Sequence, residues 1–374
     1  MNLSAPNKVL MTTDAVGGVW TYSTGLASAL AAAGMEVHLV TLGSPPTKEK
    51  RAMLQEGRVS LIESNLALEW QDAGGDDLPN ARRFLEDLED TIQPDIVHLN
   101  SYREATFDWL APVVVVAHSC VNSWGLACDN TEWLSEPNWQ HYTRTVAAGL
   151  DRAQAWVSPS RAFHDVICGL YRPSSPGTVI WNGVPPAALP PASKRRFILA
   201  AGRLWDAAKN VSALARASKG LDWPVFVAGP RFDSPENDPG ELTLIGDLSH
   251  SALRSRMQWA AIFVSPARYE PFGLSVLEAA SAGCALVLSD IPTFRELWSG
   301  AALFVDPTDH RALHRALARL CADDRERTRF QFAARERSDS YSLTQTADAY
   351  RALYQRMLAA RSRSSAIHAS EVHA

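Results

Sequence analysis

Cysteine is scarce in this sequence: five residues in 374, an odd number with no C-x-x-C pair. That excludes a disulfide framework and a thiolate zinc site as the basis of the fold, and it suits a reducing compartment. No apolar run approaches the roughly 18 residues a membrane span requires, and the first residues lack the pattern of a secretory leader. A cytoplasmic protein is expected. No G-x-G-x-x-G, Walker loop or G-x-S-x-G occurs, so dinucleotide-binding, NTPase and serine-hydrolase readings lose their usual support. No two aspartates are separated by one position, so the D-x-D that commonly holds a metal is missing as well.

What is present is ordinary globular material, 46% hydrophobic and 21% charged, in a chain long enough for two domains. The charge is uneven. Residues 1–190 carry 12 Lys and Arg against 21 Asp and Glu, a net of −9, and residues 191–374 carry 24 against 20, a net of +4. The acidic half argues against nucleic acid and anionic lipid as partners, because both would be repelled. The mildly basic half suits a small anionic ligand. Eight of the 12 tryptophans (Trp20, Trp70, Trp109, Trp124, Trp133, Trp139, Trp156 and Trp181) lie in the first half. Indole fills cores, and it is also a platform for sugar rings and aromatic ligands.

Short apolar runs alternate with helical patterns. Strands are expected at 9–13, 36–41, 59–63, 95–100, 113–118 and 155–158. Helices are expected at 22–33, stopped by Gly34, and near 80–92, 130–151 and 160–171. Val113-Val114-Val115-Val116 is continuous rather than alternating, as a strand covered on both faces should be. The βαβ series implies a parallel sheet. Four prolines in Gly183–Pro191 form a stiff linker, spanning about 184–195. The pattern then restarts, with strands at 197–201, 225–228, 243–245, 262–265, 285–289 and 303–305, helices from 309 onward and a polar tail after Ala360 expected to fray. The reading is two doubly wound α/β units, 1–183 and 196–342, with a closing helical segment 343–374 and ligands at the strand C-termini. No residue-level repeat relates the halves.

Chemistry concentrates in a few places. Glu270-Pro271-Phe272-Gly273-Leu274-Ser275-Val276-Leu277-Glu278 follows the strand at 262–265 and opens a helix from Gly273 to Ala282. One acid precedes that helix and one lies inside it, and the N–H groups of Phe272, Gly273, Leu274 and Ser275 form an anion site between them. The plainer alternative is a strand, loop and helix with two solvated acids. Gly202-Arg203-Leu204 and Lys209-Asn210 stand where the strand at 197–201 ends, so Arg203 and Lys209 could neutralise a phosphate or be merely solvated. Gly17 and Gly18 let backbone approach a ligand closely. His118 ends the four-valine strand, and Asn182-Gly183 closes the last strand before the linker; a turn or a structural role remains open for each.

Taken together, Glu270 with its Glu-x7-Glu spacing to Glu278, Gly202-Arg203-Leu204 with Lys209-Asn210, Asn182-Gly183-Val184 and the Gly17-Gly18 loop resemble retaining glycosyltransferases of the GT-B fold, family four. The resemblance runs from about Lys8 to about Tyr354. It implies two Rossmann-like domains facing across a cleft, the first taking an acceptor and the second a nucleotide sugar. Carried onto this chain, it implies that Arg203 and Lys209 hold the donor diphosphate, that Glu278 binds the ribose, and that Glu270 contacts the transferred sugar. Backbone groups of Phe272 to Ser275 add donor contacts, and Gly17 and Gly18 lie against the diphosphate or the sugar. The loop Gly246-Asp247-Leu248 matches the region touching the nucleobase, His118 matches an active-site histidine, and the final helix crosses back to the first domain.

The implied reaction needs no metal and no cofactor beyond the donor substrate. It retains configuration, with the departing phosphate taking the acceptor proton. The acidic first half disfavours the membrane-bound acceptors of many such enzymes, so a sugar, polysaccharide or small aromatic acceptor is expected. Three alternatives stay open at this level: a disaccharide phosphorylase or synthase of trehalose type, a nucleotide-sugar binding protein without turnover, and a nicotinamide oxidoreductase. Base, sugar, acceptor and oligomeric state are not encoded in these motifs.

Overall fold

Seven strands build the first sheet: β1 (Lys8–Asp14), β2 (Glu36–Leu42), β3 (Val59–Glu63), β4 (Ile96–Leu99), β5 (Val113–Val116), β6 (Ala155–Ser158) and β7 (Thr178–Val179). They lie in the order 3-2-1-4-5-6-7, every pair parallel. Six more build the second: β8 (Arg195–Ala201), β9 (Val225–Ala228), β10 (Leu242–Leu244), β11 (Ala260–Ser265), β12 (Ala285–Ser289) and β13 (Ala302–Val305). Their order is 10-9-8-11-12-13, again all parallel. Each sheet therefore reverses direction beside its own first strand, the topological switch point where α/β folds bind ligands. The structure is a computed structural model, and it describes residues 6–54, 57–186, 194–230 and 240–371, the side chains of 364–371 excepted.

The chain divides into two compact units. One comprises Met1–Gly125, Asn130–Asn182 and Leu343–Ala374; the other comprises Leu126–Asp129 and Gly183–Ser342. Central strands read as unbroken apolar runs because both faces are covered. In β8, Phe197 and Leu199 enter one buried cluster with Val276, Leu277 and Ala280 of the helix Leu274–Ser281, while Ile198 and Ala200 enter another with Leu313 and Leu317 of the helix His310–Ala322. Successive side chains of a strand point to opposite faces, so one run feeds two cores.

Several boundaries differ from the sequence expectation. The first helix begins at Gly18 with Gly17 as its N-cap, four residues before Tyr22, so the glycine doublet opens the helix itself. The helix expected from 130 starts only at Pro137, after a 3₁₀ turn at Glu132–Ser135. Proline fits the first helical turn, where its missing N–H has no intrahelical acceptor to lose. β7 is only two residues long, too short to carry a period. The last helix, Leu343–Glu371, continues past Ala360, where fraying was expected; the Ala, Ser and Arg of that stretch offer no Pro or Gly to stop it. It packs on the first helix through buried Tyr350 and Tyr354, and a Cβ on Gly25 would stand 3.6 Å from Leu343. Of the proline linker, residues 187–193 lie outside the described residues.

Candidate active site

In the second unit, residues beyond the C-terminal ends of β8 and β11 are brought together. After β8 the chain turns at Gly202, and a 3₁₀ turn, Ala207–Lys209, presents Lys209. Asp206 caps that turn by accepting from Ala208 N–H at 3.0 Å, and its other oxygen accepts from Arg203 Nη2 at 2.6 Å. Arg203 and Lys209 are thus anchored to one turn. The stem of Lys209 lies over Gly202, where a Cβ would stand 3.1 Å from Lys209 Cγ. Lys209 Nζ donates to Glu270 Oε2 at 2.7 Å, across 61 positions of sequence, in a pair that is 23% and 16% exposed.

Glu270 is seated by the glycine that follows it. Gly273 has φ 92°, and a Cβ there would meet Phe294 at 3.1 Å and Glu270 Cγ at 3.3 Å. It is the N-cap of the helix Leu274–Ser281, whose first intrahelical bonds run from Val276 and Leu277 N–H to Gly273 O. The N–H groups before Val276 have no carbonyl within the helix to bond. Buried Glu278, one turn further on, accepts from His250 Nε2 at 2.5 Å. Phe272 is buried in the core of the unit, so it offers its backbone and not its ring.

Asn210 binds these loops to one another. It is 4% exposed, adopts the left-handed conformation at φ 54°, and its Nδ2 donates to Pro266 O at 2.9 Å and Pro307 O at 2.8 Å. The segments after β8, β11 and β13 therefore share one amide. Gly229 has φ 144°, and a Cβ there would fall 1.8 Å from Gly202 O, so only glycine permits the loops after β8 and β9 to approach this closely. Gly246 (φ 77°) accepts from Gly229 N–H at 2.8 Å, and half-buried Leu248 follows it on this separate loop.

The remaining candidates, Gly17, Gly18 and His118, belong to the first unit. His118 Nε2 lies 2.7 Å from Asn100 Oδ1, while Asn100 Nδ2 donates to Thr12 O at 2.7 Å and Ser23 Oγ at 3.1 Å. With its amide fixed in this sense, Asn100 offers an acceptor, so His118 carries its proton on Nε2 and leaves Nδ1 as the acceptor nitrogen. Burial pushes the His118 pKa down to about 3, keeping the ring neutral near pH 7. Tyr22 meets it edge-on at 4.5 Å. Behind them fully buried His98, also lowered to about 3 by burial, hydrogen-bonds Tyr354 Oη through Nδ1 at 2.6 Å. Asn182 is buried too, its Oδ1 without a partner among the described residues.

Asp206, His250, Asn210's bridging amide and Asn100 are site residues that sequence reasoning passed over. Asp206 and Asn210 flank Lys209 closely and were legible as a cap and a turn. His250 and Asn100 meet their partners 28 and 18 positions away, with no spacing rule to connect them. Among the described residues no group of three or more His, Cys, Asp or Glu could hold a metal ion, and no helix is long and apolar enough to cross a membrane.

Comparison with known proteins follows this division. Residues 16–188 match the family model described as Glycosyltransferase Family 4, and residues 186–337 match Glycosyl transferases group 1. The chain is 27% identical over 369 residues to a glycogen synthase of Mycobacterium tuberculosis, covering 87% of each chain. It is 31% identical over 232 residues to a GDP-mannose:cellobiosyl-diphosphopolyprenol alpha-mannosyltransferase of Xanthomonas oryzae, covering 55% of this chain and 58% of that one. Among solved structures, sucrose-phosphate synthase from Thermosynechococcus elongatus superposes with a TM-score of 0.78 at 18% identity, over 95% of this chain and 100% of that one. With both halves matched and both sheets in the same doubly wound order, the chain belongs to the glycosyltransferases of the GT-B fold.

Proposed function

We propose that this glycosyltransferase moves a hexose from a nucleoside-diphosphate sugar to a hydroxyl of a sugar, polysaccharide or small-molecule acceptor, with retention and without a metal. The observation that carries the reading is the Lys209–Glu270 pair at 2.7 Å, set beside Arg203 at the ends of β8 and β11, where Gly273 opens a helix. Arg203, Lys209 and the helix N–H groups hold the donor diphosphate. As the bond from the sugar carbon to the phosphate oxygen breaks, negative charge grows on that oxygen, and these fixed donors stabilise it without reorganising. The acceptor hydroxyl attacks from the same face and its proton passes to the departing phosphate. No side chain of the enzyme is required as a nucleophile.

Other roles follow from chemistry. Glu270, already bonded to the cation that meets the diphosphate, accepts from a hydroxyl of the transferred sugar. Glu278, buried and oriented by His250, accepts from the ribose hydroxyls. His118, kept neutral, offers Nδ1 to a sugar hydroxyl and adds no charge. The loop at Gly246–Leu248 meets the base, and the Gly17-Gly18 backbone lies against the donor.

Thermal unfolding with UDP, GDP, ADP and CMP, and with nicotinamide dinucleotides as controls, tests the donor. A ligand present at about 100 times its Kd stabilises by about 2.7 kcal/mol. One nucleoside diphosphate is expected to raise Tm, and Glu278→Gln is expected to abolish the shift. Turnover that survives EDTA and an unchanged anomeric configuration by NMR are expected of the product. A shift from the nicotinamide controls alone would refute the reading.

A further inference from the structure

Beyond the ends of β8 and β11, Lys209 and Arg203 each have an acid of their own. Lys209 Nζ donates to Glu270 Oε2 at 2.7 Å, and Arg203 Nη2 donates to Asp206 Oδ2 at 2.6 Å. The formal charges of these four groups cancel, although this is the place proposed above to receive a diphosphate. Glu270 has a part in that reading, as the acceptor for a sugar hydroxyl; the charge of Asp206 has none. Asp206 is 4% exposed and caps the 3₁₀ turn Ala207–Lys209 through Oδ1, a bond that Asn or Ser would make as well. Stability does not call for the charge either, because a buried ion pair is often matched by uncharged groups of similar shape. What the second oxygen adds is a fixed place for the Arg203 guanidinium, which also lies 5.4 Å from the ring centroid of Trp205.

We infer that Asp206 is a positioning residue that sets how firmly the site holds the departing nucleoside diphosphate: it keeps Arg203 in place between turnovers, and its charge weakens the grip on the product. The inference rests on the donor reading above and adds to it a residue that governs product release. Arginine and lysine each carry several N–H donors, so both cations keep donors for phosphate oxygens while bonded to their acids. Cleavage of the bond to the sugar puts further negative charge on the departing phosphate. A fixed carboxylate in the same turn therefore repels the product more than it repels the sugar-bound donor. Asp206 is buried, so water and salt screen that repulsion less than they would at the surface. Because Arg203 is already held, less of its side-chain freedom is lost when a diphosphate arrives.

Isothermal titration of the full chain with UDP, GDP, ADP and inorganic pyrophosphate tests this in the parent, in Asp206→Asn and in Asp206→Ser. Both substitutions keep an oxygen for the Ala208 N–H and remove the charge. The nucleoside diphosphate that binds the parent, and pyrophosphate with it, is expected to bind each variant about three- to tenfold more tightly. Turnover of the matching nucleotide sugar, read as nucleoside diphosphate released at saturating donor, is expected to fall about tenfold while KM does not rise, because release slows and Arg203 is less well ordered. A merely structural role moves affinity the other way, since a loosened turn binds diphosphate more weakly. Equal or weaker binding in both variants would overturn the inference and leave the donor assignment standing. Tighter binding with full turnover would overturn it too, because release would then not depend on Asp206. Binding of no diphosphate by parent or variants would overturn the donor assignment together with the inference.

Discussion

Asn210 offers a sharp test of how the second unit is held together. Its substitution by alanine removes two hydrogen bonds, at 2.9 and 2.8 Å, and forces a residue with a Cβ to keep φ at 54°. A buried acceptor that loses its donor costs about 1–3 kcal/mol, so two carbonyls set a loss of about 2–6 kcal/mol. The left-handed backbone adds about 1–2 kcal/mol for alanine. Glycine at the same position loses both bonds and relieves the backbone, so Asn210→Gly should be milder than Asn210→Ala by about 1–2 kcal/mol. Differential scanning calorimetry, with UDP and GDP present and absent, reads both effects. Because the amide joins the loops carrying Lys209 and Glu270, each variant should also weaken nucleotide binding at temperatures where it is folded. The reasoning fails if both variants unfold within about 0.5 kcal/mol of the parent, the scatter of ordinary surface substitutions.

Four further outcomes follow. Lys209→Ala should lower turnover about 10²–10³-fold, as loss of one preorganised transition-state donor does, while Tm moves by only a few degrees; full turnover in the product assay would remove Lys209 from the mechanism. Gly229→Ala should be strongly destabilising by calorimetry, since its Cβ would overlap Gly202 O at 1.8 Å and φ is 144°. His98 titrates at about 3 in the fold against an ordinary 6.5, so the unfolded chain binds more protons between these values. Its contribution is complete above about pH 6.5 and is lost as pH falls toward 3, and His98→Gln should flatten that acid-side loss in urea titrations. Glu69 has the opposite sign: its carboxyl is raised from 4.5 to about 7, so its contribution is complete below 4.5 and lost as pH rises through 7. Glu69→Gln should accordingly make stability climb more steeply between pH 4.5 and 7.

Particular elements show why some of this was readable in the sequence. β5 and β12 carry continuous apolar runs, Val113–Val116 and Ala285–Leu288, which is the pattern a parallel strand covered on both faces requires. The Pro-Phe-Gly turn at 271–273 announces a helix start because only glycine takes φ 92° there. β7, the 3₁₀ turn before Pro137 and the glycine start of the first helix escaped because they are short or depend on neighbours. The halves share a strand order that no residue repeat betrays, since topology is set by apolar periodicity and connection handedness, which many sequences satisfy.

The sequence by itself determined the class of fold, the order of its longer strands along the chain, the positions of Lys209 and Glu270 beyond strand ends and that of Glu278 inside the helix that follows Glu270. These follow from local rules: strand period, turn chemistry and the capping needs of a helix. Only the tertiary structure decided which groups meet. The pairing of Lys209 with Glu270, of Glu278 with His250 and of His118 with Asn100, and the clasp of three loops by Asn210, join residues 18 to 97 positions apart. Such contacts carry no local signature, because their separation is fixed by how the strands order themselves in the sheet and not by any spacing along the chain.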